Sequence, residues 1–171
     1  KSYAAKVEIL RQLMQKTKVI VIDPEREYKQ LSESLNGTYI KLSVKSEEKI
    51  NPFDFSVTTH GSDSNLAEHI QDLTEIISLM VEGLTAQEKA VLDKALIKTY
   101  KIAGWSLRGK NIATKGKEYP RLKDLYKTLK AEKQTDLTTR LEKFVKGSLA
   151  SVFDSQTNIR LDNRLVVFDI K

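Results

Sequence analysis

Two short apolar runs, each ending in aspartate, constrain this chain more than any other feature. They are Val19-Ile20-Val21-Ile22-Asp23 near one end and Leu165-Val166-Val167-Phe168-Asp169 near the other. A continuous apolar run rich in β-branched residues, without polar alternation, reads as a strand covered on both faces, the habit of parallel sheets. A sheet is therefore expected to start early, to be interrupted, and to resume near residue 165.

The patterns around the first run support this. Residues 1 to about 15 read as a helix, with Tyr3, Val7, Leu10 and Met14 on one stripe and Ile9 and Leu13 widening it. Pro24 ends the strand. A second helix is expected from about residue 25 to 35, with Tyr28, Leu31 and Leu35 inward, stopped by Asn36-Gly37. Thr38-Tyr39-Ile40-Lys41-Leu42 is the next strand. Helix, strand, helix and strand in so short a stretch argue for an α/β, doubly wound sheet.

After Asn51-Pro52-Phe53 the strand patterns stop. Residues 56–64 are polar and loop-like, and helical patterns follow. Leu66, Ile70, Leu73, Ile77 and Met80 mark one helix, closed by Gly83. Thr85-Ala86-Gln87-Glu88 is a capping box opening another, with Val91, Leu92, Ala95, Leu96 and Tyr100 inside. Gly104 to Gly116 reads as a basic loop, and Pro120 starts a helix carrying Leu122, Leu125, Tyr126 and Leu129. Thr135 or Asp136 caps a fourth helix, with Leu137, Leu141, Phe144 and Val145. The expected organisation is a first α/β part over residues 1–57, an all-helical insertion over 58–155 and a returning strand in 156–171.

Composition excludes some chemistries. The absence of cysteine rules out disulfides and thiolate catalysis. Two histidines, His60 and His69, cannot build a metal site without carboxylates, and His69 reads as a partly exposed helix residue. The longest apolar runs fall far short of the roughly 20 residues a membrane span needs. The net charge of +6 permits contact with nucleic acid or anionic lipid. Lys98, Lys101, Arg108, Lys110, Lys115, Lys117, Arg121 and Lys123 crowd one region, but the solvated face of a helical domain accounts for them better than a nucleic-acid surface does. Trp105, just after Gly104, either anchors a loop on the core or is exposed and stacks on a base.

Two places could carry chemistry. Lys1-Ser2 ahead of a helix has the form of the end of a phosphate-binding loop, whose lysine reaches phosphate and whose hydroxyl binds Mg²⁺. Asp23-Pro24-Glu25-Arg26-Glu27-Tyr28 puts acids at the carboxyl end of a strand, where open α/β sheets bind ligands. A carboxylate there could hold a metal-bound water or orient a nucleophile; helix N-terminal capping is the simpler reading. Neither Asp23 nor Asp169 is followed by glutamate, so neither is assigned as the main metal carboxylate. No Ser-His-Asp constellation stands out.

Taken together, Lys1-Ser2, the block from Val19 to Tyr28, Gly37-Thr38-Tyr39-Ile40, Ile50-Asn51-Pro52-Phe53-Asp54, Gly147-Ser148-Leu149, Phe153-Asp154, Thr157-Asn158 and Leu165 to Asp169 resemble the cytoplasmic ATPases of conjugative DNA transfer and type IV secretion. These are the TraC-like and TrbE-like members of the HerA–FtsK group of P-loop NTPases. The resemblance implies a partial RecA-like sheet interrupted by an all-helical insertion, and an ATP hydrolase that works as a homo-oligomer, a hexamer, with other secretion-system subunits at the cytoplasmic face of the bacterial inner membrane. It implies ATP and Mg²⁺ as cofactors, with Lys1 and Ser2 on the nucleotide and Ser2 on Mg²⁺; Asp23, Glu25 and Glu27 fall in the family's acidic motif, whose role stays open, with Asp23 a candidate for the nucleotide and Glu25 and Glu27 candidates for catalysis. The phosphate-loop glycines, the metal-carboxylate strand and an arginine finger have no counterpart here, so the chain reads as an excerpt not expected to hydrolyse ATP alone. A DNA-translocating motor of the same group and a non-catalytic helical interaction module are the alternatives.

Overall fold

The computed structural model describes residues 2–55, 66–107, 118–159 and 161–171. The chain divides into two compact units, Lys1–Ile50 with Thr157–Lys171, and Asn51–Gln156.

The first unit is α/β. Helix α1 spans Ser2–Met14, β1 Val19–Asp23, α2 Lys29–Ser34, β2 Thr38–Lys41 and β3 Leu165–Asp169. The strands form one sheet in the order β1-β3-β2, with β3 parallel to both neighbours. The late strand thus returns between the two early ones, as an interrupted parallel sheet requires. Register sets Val19 against Leu165 and Asp23 against Asp169. On one sheet face Val19, Val21, Leu165, Val167 and Tyr39 pack with Ile9 and Leu13 of α1 and with Tyr28 and Leu31.

Three local expectations are corrected. Strand β1 is not covered on both faces: Val19 and Val21 pack with α1, whereas Ile20 and Ile22 on the opposite face are 61% and 67% exposed. The inward face of α1 is carried by Ile9 and Leu13 rather than by the Tyr3–Leu10–Met14 stripe, and Tyr3 and Met14 are 80% and 84% exposed. Helix α2 begins at Lys29 instead of near residue 25, because Arg26 takes a left-handed backbone (φ 60°) that no helix accepts. Beyond α2, Gly37 is needed for close approach: a Cβ there would lie 2.9 Å from the Ser32 hydroxyl and 3.0 Å from the Leu165 carbonyl oxygen.

The second unit is helical, with α3 Leu66–Met80, α4 Ala86–Ile102, α5 Leu122–Ala131, α6 Thr135–Val145 and the single turn α7 Ala150–Phe153. Leu66, Ile70, Leu73 and Ile77 of α3, Leu92, Leu96 and Tyr100 of α4, Leu122, Leu125 and Leu129 of α5, and Leu137, Leu141 and Phe144 of α6 share one core. The capping box opens α4 as the sequence indicates: the Thr85 hydroxyl accepts from the Glu88 N–H, and the Glu88 carboxylate accepts from the Thr85 N–H.

Residues 51–55 run through this unit without regular structure. The Asn51 side chain donates to the Pro120 carbonyl (2.9 Å) and accepts from the Phe53 N–H (3.1 Å). The hydroxyls of Tyr100 and Tyr119 donate to the carbonyls of Phe53 (2.6 Å) and Phe55 (2.8 Å). Such bonds are what an irregular buried backbone needs, since it has no ladder to satisfy it. Among the described residues no helix is long and apolar enough to cross a membrane.

Candidate functional site

The carboxyl ends of β1 and β3 bring two buried aspartates side by side, since Asp23 and Asp169 are register partners. Adjacent carboxylates out of water repel unless donors surround them. Asp23 is surrounded by its own chain. One oxygen accepts from the N–H groups of Glu25 (3.3 Å) and Glu27 (3.2 Å), and the other from Tyr28 (2.9 Å). The backbone therefore wraps the carboxylate, and residues 24–27 form a loop rather than a first helical turn.

Asp169 is served from three directions. Its oxygens accept from Arg26 Nε (3.0 and 3.2 Å), from the Tyr39 hydroxyl (3.0 Å) and from the Lys171 N–H (3.0 Å). Burial pushes its pKa up, but the Lys171 N–H, the Tyr39 hydroxyl and the Arg26 guanidinium together hold it below the ordinary carboxylate range. Tyr39 is pushed up to about 12, first by burial and then by the Asp169 carboxylate. Arg26 spans the loop and the sheet: Nε is on Asp169, Nη2 donates to the Lys171 carbonyl (2.6 Å), and the side chain stays 45% exposed.

The expected acids are thereby sorted. Asp23 is buried, whereas Glu25 and Glu27 on either side of Arg26 are exposed. Glu25 makes a 3.5 Å ion pair with Lys171, and Glu27 makes no ion pair among the described residues. Ser2 is the first residue of α1, and Lys6, one turn later, places its ammonium 5.6 Å from the centre of the Tyr28 ring. The start of α1 thus lies beside the end of the acid loop. Lys1 lies outside the described residues.

The donor set at this end suits a polyphosphate with Mg²⁺. A helix start without an acid in its first turn turns its positive end toward an anion, and the Ser2 hydroxyl is a hard oxygen of the kind Mg²⁺ takes. Among the described residues no three His, Cys, Asp or Glu side chains gather where they could hold a metal alone.

The helical unit removes other candidates. Trp105 is buried and stacks on Tyr119 (4.7 Å between ring centres, 4° between planes), so it offers no face to a base. His69 packs against Phe55 and Tyr100, and burial lowers its pKa. Lys98 pairs with Glu132 and Lys123 with Asp154. Arg108, Lys110, Lys115, Lys117 and His60 lie outside the described residues. Sequence reasoning missed the reach of Arg26 to Asp169, 143 positions away. Two aspartates ending two apolar runs were the available signal, because pairing those runs demands a cation or donors between the acids.

Comparison with known proteins agrees with the fold. The family model described as Helicase HerA, central domain, matches residues 1–170. The solved structure of VirB4 of Thermoanaerobacter pseudethanolicus is similar at a TM-score of 0.83 and 35% sequence identity, over 99% of this chain and 46% of that one. The chain thus spans about half the length of that relative. No curated protein sequence matches it. A match across nearly every residue, with the fold of a 35% identical relative, bears out the resemblance read from the sequence: the chain belongs to the HerA helicase central-domain family.

Proposed function

We propose that this chain is part of an ATPase motor that powers conjugative DNA transfer or type IV secretion and binds Mg-ATP at the start of α1. The observation that carries the reading is the family match over residues 1–170, coupled to a helix start beside an acid loop at the carboxyl ends of parallel strands.

Lys1 neutralises phosphate charge, Ser2 offers its hydroxyl to Mg²⁺, and the first N–H groups of α1 face the anion. Bound Mg-ATP supplies the phosphoryl group and a countercharge for it. Glu25 and Glu27 act at the rim, where an exposed carboxylate can orient water or accept its proton. Asp23 acts on the site indirectly, by holding the backbone that carries both glutamates. The motor is read as a homo-oligomer, a hexamer, working with other secretion-system subunits at the cytoplasmic face of the inner membrane. The helical unit faces partners rather than chemistry.

The test uses the intact protein. Lys1→Ala is expected to abolish ATP hydrolysis, and Ser2→Ala to weaken the Mg²⁺ dependence of nucleotide binding. Loss of charge stabilisation at such a position costs on the order of a hundredfold or more in rate. Hydrolysis near the wild-type rate in Lys1→Ala would remove the reading.

A further inference from the structure

We propose that Arg26 is a positioning residue: anchored on Asp169, it latches the loop of residues 23–28 so that Glu25 and Glu27 stand at the rim of the nucleotide site. This rests on the nucleotide-site reading above and adds the device that holds the acids in place.

Three observations carry it. Arg26 occupies the left-handed region at φ 60°, which costs a side chain with a Cβ free energy and persists only where surroundings enforce it. The enforcing contacts are visible: Nε lies within 3.2 Å of both Asp169 oxygens, and Nη2 reaches the Lys171 carbonyl. Asp169 is itself fixed at the end of the central strand, with Tyr39 of β2 donating to it from the far side. The anchor is thus a buried carboxylate on the sheet, and the latched element is a loop whose other hold is Asp23. With both ends fixed, the alternation Glu25-Arg26-Glu27 turns the arginine toward the sheet and leaves the glutamates in solvent.

The latch should act on turnover more than on affinity. The glutamates carry the same charge sign as the polyphosphate, so their placement adds little to binding. A displacement of about 1 Å in a group acting on water can cost up to about a hundredfold in rate.

Arg26→Gly in the intact protein is the informative variant. Glycine accepts φ 60° without strain, so the change removes the guanidinium and leaves the backbone free to keep its path. Asp169→Asn removes the anchoring charge at nearly constant volume. We expect kcat to fall about tenfold or more in each, with the Kd for a fluorescent ATP analogue and Mg²⁺ within about threefold of wild type. The double variant should be no worse than the worse single, as expected when two residues act through one contact. A readout independent of turnover is amide hydrogen exchange. Protection of the Glu27 and Tyr28 N–H groups should drop in Arg26→Gly while that of β3 holds.

Unchanged kcat, unchanged protection of the loop amides, or losses that multiply in the double variant would each overturn the latch. If Asp169→Asn fails to fold, Arg26→Gly still decides, since that side chain is half exposed. If the wild-type protein binds no nucleotide, the function proposed above fails, and hydrogen exchange alone still judges the latch.

Discussion

Two irregular segments that overlap family-like blocks of the sequence, residues 23–28 and residues 51–55, solve the same problem in opposite directions. Both are irregular backbone next to a packed core. In residues 51–55 the polar groups serve burial: Asn51, Tyr100 and Tyr119 satisfy the backbone so that Phe53 and Phe55 can sit in the helical core. In residues 23–28 burial serves the polar groups: Asp23 and Asp169 are withdrawn from water so that Glu25 and Glu27 are held in it. A shared family signature therefore does not imply a shared role. The first segment should govern stability, and the second should govern reaction.

That contrast can be tested from its strongest consequence downward. Phe53 is fully buried, so Phe53→Ala should destabilise the protein by about 3–5 kcal/mol in denaturant unfolding. A loss below about 1 kcal/mol would remove residues 51–55 from the structural class. Asn51→Ala leaves the Phe53 N–H and the Pro120 carbonyl without their partner and should cost about 2 kcal/mol by the same measurement. Asp23→Ala deprives three N–H groups of an acceptor and should cost about 1–2 kcal/mol, with Asp23→Asn intermediate. Glu25→Gln and Glu27→Gln should change stability by no more than about 0.5 kcal/mol, as exposed substitutions do, while lowering turnover. A stability loss above about 1 kcal/mol in either would erase the distinction between the segments.

The acid cluster also gives a pH signature. The pKa of Asp169 is lower in the folded state than its ordinary 3.8, so its contribution is complete above that value and is lost as pH falls through the lower folded value. The pKa of Tyr39 is raised from 10.0 to about 12, so its contribution is complete below 10 and disappears as pH rises through that window. Unfolding curves of wild type and Tyr39→Phe should therefore converge between pH 10 and about 12. Parallel curves across that range would detach Tyr39 from Asp169.

The sequence made the elements legible wherever a local pattern was enough. The three strand segments and the Thr85–Glu88 box are complete within a few residues, and each appears in the structure. The α1 face was misread because apolar residues surround most of that helix, so spacing alone could not choose between the Ile9–Leu13 side and the Tyr3–Met14 side. The start of α2 was misread because acids after Pro24 look like a first helical turn, whereas the Asp23 carboxylate gathers those N–H groups itself. At the site, the acids were legible as a cluster. Which of them are buried was not, because that depends on Asp23 and Asp169 becoming register partners and on Arg26 bridging 143 positions.

The position of β1 has a practical consequence. Its isoleucines project into water from a strand that, among the described residues, hydrogen-bonds on one side only. An apolar edge with unfilled backbone donors and acceptors is a template for another chain's strand. Handled as these 171 residues alone, the polypeptide is expected to self-associate through this strand. Solubilising it calls for a lysine at position 20 or 22, which leaves the packed face of the sheet untouched.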